Sequence, residues 1–259
     1  MRPQLLNPID DDEVEEYLTD PAYFAQEKID GKHIVYEYRG GAVYLYNKKG
    51  EIAKQKADIQ ITLPAFTPVV LDGELVGNTY YVFDIIEWDN ASCTELSAAD
   101  RYRVLADLPI SGRVVVVPAA FSTVEKRDLY ARLKNEGKEG IVFKRKKAAY
   151  VPGRPASGGD MVKYKFYATA SVIVSEHTDG KHSVRMMMLV DGGAPVDVGS
   201  VTIGQKTPLP EIGAVIEVKY LYAYHGGCLY QPSYLGVRDD VSAEECSVKQ
   251  LKYKAGGVV

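Results

Sequence analysis

The sequence predicts an α+β fold in which antiparallel sheets with flanking helices are followed by a small β-barrel. Three observations predict it. Up to about residue 166, stretches of alternating apolar residues are interrupted by helix signatures that carry their own capping residues. From about Ala168 those helix signatures give way to short apolar strands divided by glycine-containing turns. At 259 residues the chain is long enough for two domains with separate cores, and the change of texture sets a boundary near Tyr167, giving 1–167 and 168–259.

Taken in order, Val14, Tyr17 and Leu18 fall at helical spacing behind the acidic cluster Asp10 to Glu13, whose charges suit a helix N-terminus. Tyr23 to Glu27 reads as a strand ending at Lys28. After the Asp30-Gly31 turn, Ile34, Tyr36 and Tyr38 alternate with His33, Val35 and Glu37, and Gly40-Gly41 turns the chain into a strand holding Val43 and Leu45. Val69 to Gly77 is an apolar strand broken by Asp72 and Glu74, and Tyr80 to Ile86 is a buried strand with Asp84 in its middle. An unpaired carboxylate in a buried strand is costly, so Asp84 calls for a partner. Ser97 with Asp100, and Ser122 with Glu125, are capping-box patterns. Tyr102, Leu105 and Leu108 supply the apolar face of one helix, and Leu129 and Leu133 that of the other, with Gly137 as its stop. Between these helices lies a strand, Val114 to Val117.

Glu139 to Lys144 and Met161 to Phe166 are strands joined by a glycine- and proline-rich loop, Ala149 to Asp160. Strand alternation sends Lys163 and Lys165 to one face and Val162, Tyr164 and Phe166 to the other, which sets two ammonium groups in one wall. Beyond Ala168 the strands are Val172 to Val174, Ser183 to Val190, Val196 to Val201, Val215 to Tyr222 and Cys228 to Leu235, with turns at Asp179-Gly180 and Asp191-Gly192-Gly193. Five short strands fit a barrel of the OB kind.

Composition narrows the function classes. Apolar residues make up 46% and charged residues 25%, as in ordinary globular proteins. Cys93, Cys228 and Cys246 are widely spaced and follow no metal or disulfide pattern, so a reducing, cytoplasmic compartment is expected. The acidic N-terminal region does not read as an export signal, and no stretch reaches membrane-spanning length. A net charge of -4 argues against a general nucleic-acid coat while permitting a local basic groove.

The chemistry centres on Lys28-x-Asp30-Gly31. An amine beside a turn carboxylate has the setting of a lysine nucleophile, which must be activated by nearby cations or by desolvation; alone, the same residues fit a surface hairpin turn. Downstream come Asp72-Gly73-Glu74, Tyr81-x-Phe83-Asp84, Glu139-Gly140-x-Val142-x-Lys144, Lys163-x-Lys165 and Arg238-x-Asp240. In order and spacing this set resembles the covalent nucleotidyltransferases: ATP-dependent DNA ligases, RNA ligases and mRNA capping enzymes. Glu217-Val218-Lys219-Tyr220, Leu229, Pro232 and the loop Ala149-Tyr150-x-Pro152-Gly153-Arg154 look most like the DNA ligase branch, in a minimal two-domain form.

The resemblance implies an adenylation (nucleotidyltransferase) domain followed by an OB-fold domain. It implies that Lys28 attacks the α-phosphate of ATP, that AMP passes to the 5'-phosphate of a nick in double-stranded DNA, and that the 3'-hydroxyl displaces it. Lys163 and Lys165 would then neutralise the phosphate and depress the Lys28 pKa. Glu74 and Glu139 would hold the ribose and, with Asp30, a Mg²⁺ for which Mn²⁺ can substitute. Phe83 would stack on adenine, Gln26 would accept from its amino group, and Glu27 would flank the nucleotide. Arg238 and Asp240 would close over pyrophosphate. A monomer without membrane or obligate protein partners is expected.

The chain also departs from that pattern. His33 stands where the family has Arg, Lys48 where a second Arg is common, Val241 where a Lys follows Arg-x-Asp, and Tyr230 where an Arg precedes Pro232. Near its ordinary pKa of about 6.5 a histidine is mostly neutral at pH 7, which weakens a phosphate contact. Lys249, Lys252 or Lys254 would have to replace the missing cation. RNA sealing, GTP-dependent RNA capping, and a non-catalytic OB-fold strand-binding protein are the alternative readings.

Overall fold

The computed structural model describes residues 1–53, 59, 61–62, 67–190 and 194–254, so the Asp191-Gly192-Gly193 turn lies outside the described residues. The chain is mostly sheet with few helices and divides into two compact units, Met1–Lys165 and Phe166–Val259.

Two sheets build the first unit. One runs in the order Asn7–Pro8, Met161–Lys165, Gly140–Arg145, Tyr23–Lys28, Ala119–Ala120. The other runs Val114–Val116, Thr79–Trp88, Val69–Val76, Lys32–Arg39, Ala42–Asn47, with Ala91–Ser92 against Thr79–Trp88. The expectation of purely antiparallel sheets needs correction, because Asn7–Pro8 and Val114–Val116 each join as parallel edge strands. The second of these follows the Ala98–Ala106 helix, a crossover of the kind that parallel pairing requires.

The central strands of the second sheet are buried on both faces. Ile34, Tyr36, Leu71, Tyr80, Val82 and Leu105 share one core, whereas Val35, Val70, Ile86 and Tyr150 pack on the opposite side. Continuous apolar runs such as Val69 to Leu71 therefore have no solvent side. Helices form at Val14–Thr19, Ala98–Ala106 and Thr123–Asn135. Ser122 and Glu125 make a complete capping box, and Ser97 accepts from the Asp100 N–H. Gly137, at φ 67°, takes the left-handed position just past the last helix.

Five strands form the main sheet of the second unit, in the order Pro195–Thr202, Ser183–Leu189, Ala168–His177, Val215–Tyr220, Ser233–Val237. Among the described residues no ladder joins its outer strands, so a closed barrel is not what the pairing shows. The expected strand Cys228 to Leu235 is in fact two, Leu229–Tyr230 and Ser233–Val237. Gln231 at φ 54° and the following proline, which cannot donate to a ladder, break it. Likewise Val215 to Tyr222 divides at Leu221 into Val215–Tyr220 and Tyr222–Ala223. Cys93 and Cys246 are buried, Cys228 is exposed, and none forms a disulfide. No helix among the described residues is long and apolar enough to cross a membrane.

Candidate active site

Strand register gathers the motif residues. Gln26 faces Val142, which faces Lys163, and two residues further along Lys28 faces Gly140, which faces Lys165. Side chains two apart share a face, so Gln26, Lys28, Val142 and Lys163 come to one wall of a cavity of about 740 Å³ that is open to solvent. His33, Asp72, Glu74 and Phe83 from the second sheet supply more of its lining, and Gln4 to Leu6 and Arg154 complete it.

Gly140 makes the register possible. A Cβ at that position would lie 2.0 Å from the Tyr164 carbonyl oxygen, so only glycine allows the three strands to approach here. Glu139, just before it, is thereby placed between two cations. Its Oε2 is 2.5 Å from Lys28 Nζ and its Oε1 is 2.9 Å from Lys165 Nζ. The residue expected to meet ribose and metal thus bridges Lys28 and Lys165. The cationic cluster acts on Lys163, whose pKa burial, together with Lys28, Arg154 and Lys165, lowers to about 8.

His33 sits against a carboxylate. Its Nε2 lies 2.6 Å from Asp72 Oδ1. Burial pulls its pKa down, but Asp72, through charge and hydrogen bond, and Glu74 outweigh burial and raise it. Asp72 is itself anchored, because the Tyr150 hydroxyl donates to its Oδ2 at 2.7 Å and in turn accepts from the Gln4 backbone N–H at 2.9 Å. Opposite His33 in the ladder stands Glu74. Its pKa is raised to about 7, chiefly by burial, and its Oε2 is buried with no hydrogen-bond partner. Gln26 also carries an orphan. Its Nε2 donates to the Val117 carbonyl at 2.8 Å, which fixes the amide and leaves Oε1 buried and unpaired.

Phe83 stands in the cavity wall, with the His33 ring edge-on at 5.8 Å and Lys144 Nζ 5.0 Å from its centroid. Lys48 is exposed in the turn after Ala42–Asn47 and does not line the cavity, whereas Glu27 lines it and is paired with Lys138 at 3.4 Å. Asp30, Glu74 and Glu139 do not make a metal cluster; among the described residues no three His, Cys, Asp or Glu side chains do. In the second unit Arg238 is held bidentately by Asp240 at 2.7 and 2.8 Å and by Glu217 at 3.1 Å. Lys252 donates to the Phe166 carbonyl and Lys254 to the Tyr222 hydroxyl.

Two buried cations surround Asp84, of which Lys144 belongs to a motif and Arg101 to none. Arg101 reaches Asp84 at 2.8 and 3.1 Å, and Lys144 donates to the Phe83 carbonyl at 2.7 Å while lying 3.7 Å from Asp84. The signal available was Asp84 itself, which required a partner.

The RNA ligase family model matches residues 21–165, more than half of the chain. The chain belongs to the RNA ligase family. Members of this family are ligase-type nucleotidyltransferases, and solved structures agree in fold. One is similar over 92% of this chain and 99% of its own, with a TM-score of 0.63 and 18% identity: a Lig E DNA ligase described as binding DNA with a minimal scaffold. A mycobacterial DNA ligase D complexed with ATP and MES matches at 22% identity and TM-score 0.53, covering 95% of this chain and 97% of that one. The ligase domain of Mycobacterium tuberculosis LigD matches at 21% identity and TM-score 0.51, with the same coverage. No curated protein sequence matches. As an RNA ligase family member, the chain has its matched segment ending at Lys165, so all the cavity-lining motif residues from Gln26 to Lys163 fall inside it.

Proposed function

We propose that this protein is an ATP-dependent polynucleotide ligase that works through a lysyl-AMP on Lys28 and seals 5'-phosphate/3'-hydroxyl nicks in DNA. The observation that carries it is the pairing, in one cavity, of Lys28 beside Lys163 with the unpaired Gln26 Oε1. A fixed acceptor suits the amino group of adenine and repels the carbonyl of guanine, which favours ATP over GTP. Phe83 offers a ring for the base, and ATP in the related ligase D structure supports the same donor.

The Lys28 amine, freed of a proton that Glu139 is placed to accept, attacks the α-phosphorus. The N–P bond forms, the bond to the bridging oxygen breaks, and pyrophosphate leaves with the electron pair. A 5'-phosphate oxygen then displaces Lys28, and the 3'-hydroxyl displaces AMP. Such transfers depend on positioning and on neutralising developing charge, for which Lys163, Lys165 and, when protonated, His33 are suited. Mg²⁺ takes one or two carboxylates and fills its shell with water and phosphate oxygens, so the unpartnered Glu74 fits it without a protein cage. It would supply charge neutralisation. Asp30 would join Glu74 as second carboxylate, and Arg238 with Asp240 would meet pyrophosphate. The 166–259 unit, with its five-stranded sheet, is read as an OB-type domain gripping the substrate.

An RNA substrate is the second reading, favoured by the family match. The test is incubation with ATP or GTP labelled at the α-phosphate and a divalent metal. Label on the protein from ATP, absent in Lys28→Ala, is expected; label from GTP alone, or persisting in Lys28→Ala, sinks the assignment. Competition between nicked DNA and nicked RNA for the labelled enzyme separates the two substrates.

A further inference from the structure

The loop Ala149 to Asp160 has no helix or strand of its own, and much of what holds it comes from the segment Pro3 to Ile9. Gln4 pairs with Gly153 in a parallel bridge; the Leu5 N–H donates to the Gly153 carbonyl at 2.7 Å and the Gly153 N–H to the Pro3 carbonyl at 2.8 Å. Asn7 does more than continue this pairing. Its backbone lies beside Val162 at the sheet edge, while its side-chain Nδ2 donates to two loop carbonyls, Pro155 and Gly158, each at 3.0 Å. Carbonyls can only accept, so the orientation of the amide is set by its two partners. Its Oδ1 then lies 3.4 Å from Nη1 of Arg154, which also donates to the Leu6 carbonyl. One side chain thus clasps the loop at Arg154, Pro155 and Gly158.

Arg154 gives the clasp its consequence. The residue is exposed, and a long charged side chain on a loop without secondary structure has many rotamers open to it. Held by Nη1, it lines the cavity with Lys28 and Lys163, and its charge helps to lower the Lys163 pKa to about 8. Among the described residues no acceptor is hydrogen-bonded to its Nε or Nη2. That edge of the planar guanidinium, which suits two oxygens of a phosphate, is left open. Asn7 itself precedes the segment 21–165 that the family model matches, whereas Arg154 lies within it.

We propose that Asn7 is a positioning residue: by clasping the loop it presents Arg154 to a phosphate group of the ligand in the cavity, and the proposal rests on the ligase reading only for naming that ligand a nucleotide. Calorimetric titration of the full chain with inorganic tripolyphosphate and with adenosine separates charge from base. Arg154→Gln should weaken tripolyphosphate binding about tenfold, the low end for one charge-assisted hydrogen bond. Asn7→Ala should weaken it by part of that factor, and the double variant should bind no more weakly than Arg154→Gln, because the amide acts through the guanidinium. Affinity for adenosine, which carries no phosphate, should be the same in all four proteins. Asn7→Ser keeps one donor for the loop and should fall between the parent and Asn7→Ala; it serves where the alanine variant does not fold. In the parent itself, tripolyphosphate should slow modification of Arg154 by an arginine-selective dicarbonyl, read by mass spectrometry. Additive losses in the double variant, adenosine binding lost in step with tripolyphosphate, or no protection of Arg154 would each overturn the proposal. Labelling of the parent by ATP is read separately: coupled losses without labelling sink the ligase reading and spare the clasp, and labelling with additive losses does the reverse.

Discussion

Lys28 and Lys165 are bound to the two oxygens of one carboxylate, Glu139, at 2.5 and 2.9 Å, and all three side chains are mostly buried. Removing the carboxylate takes away the charge that both ammonium groups share. Glu139→Gln is therefore expected to cost about 3 kcal/mol of stability, the lower end for a buried pair that loses one partner. Urea denaturation at pH 7 measures it, and protein labelling from ATP should fall in parallel. A variant as stable as the parent would mean that solvent already screens the triad.

Arg101 is fully buried and satisfies four acceptors: both Asp84 oxygens and the carbonyls of Leu96 and Ala148. Arg101→Met should destabilise by about 3 kcal/mol, since Asp84 loses its bidentate partner and keeps only Lys144, at 3.7 Å, as counter-charge. Arg101→Lys should recover only part of this, because an ammonium lacks the planar fork. Thermal unfolding of the three proteins ranks them, and full recovery by lysine would show that charge alone matters.

That pair also marks where sequence reading stops. Alternation was enough to send Lys163 and Lys165 to one face of their strand, since a period of two needs no knowledge of neighbouring strands. A partner for Asp84 was foreseeable from the cost of burying a carboxylate, but not its identity, because Arg101 sits on a helix whose docking is a tertiary matter. Glu139 between two lysines depends on the relative register of three strands, and the wall formed by Gln4 to Leu6 depends on an edge pairing with almost no sequence signal of its own. Ionisation was the least legible. The type of His33 gives only its ordinary value, and its contact with Asp72, with Glu74 nearby, raises it.

Lys163, lowered to about 8, should be roughly half neutral at pH 8 and roughly nine-tenths neutral at pH 9. As pH rises through that range the cavity loses a cation facing the triphosphate. Affinity for an ATP analogue that cannot transfer its α-phosphate should therefore fall between pH 7 and pH 9, and Lys163→Arg, charged throughout, should flatten the decline. Calorimetric titration at the two pH values is the check; identical profiles for both proteins would remove Lys163 from the triphosphate site.

For His33 the sign is the same but the range lies lower. Its pKa is raised above the ordinary value, so sealing of a nick that already carries a 5'-adenylate should decline as pH rises through a midpoint above about 6.5. Asp72→Asn leaves burial unopposed by that carboxylate and should move the midpoint down. His33→Arg should hold activity at pH 8.5, by the worth of one charge-assisted hydrogen bond, about 1.5–3 kcal/mol at most. Loss across the whole pH range in His33→Arg, with His33→Ala harmless, would make the ring a packing neighbour only.

The Gln4 backbone N–H ends on the Tyr150 hydroxyl, which ends on Asp72, which ends on His33. An amide that can open to solvent exchanges its hydrogen for deuterium, and this one can open only by releasing the phenol that steadies a carboxylate of the cavity. The exchange clock of Gln4 is thus set by events at a histidine far along the chain. A peptide from the first few residues, followed by mass spectrometry, becomes a reporter of whether the cavity is filled, without any label near the chemistry.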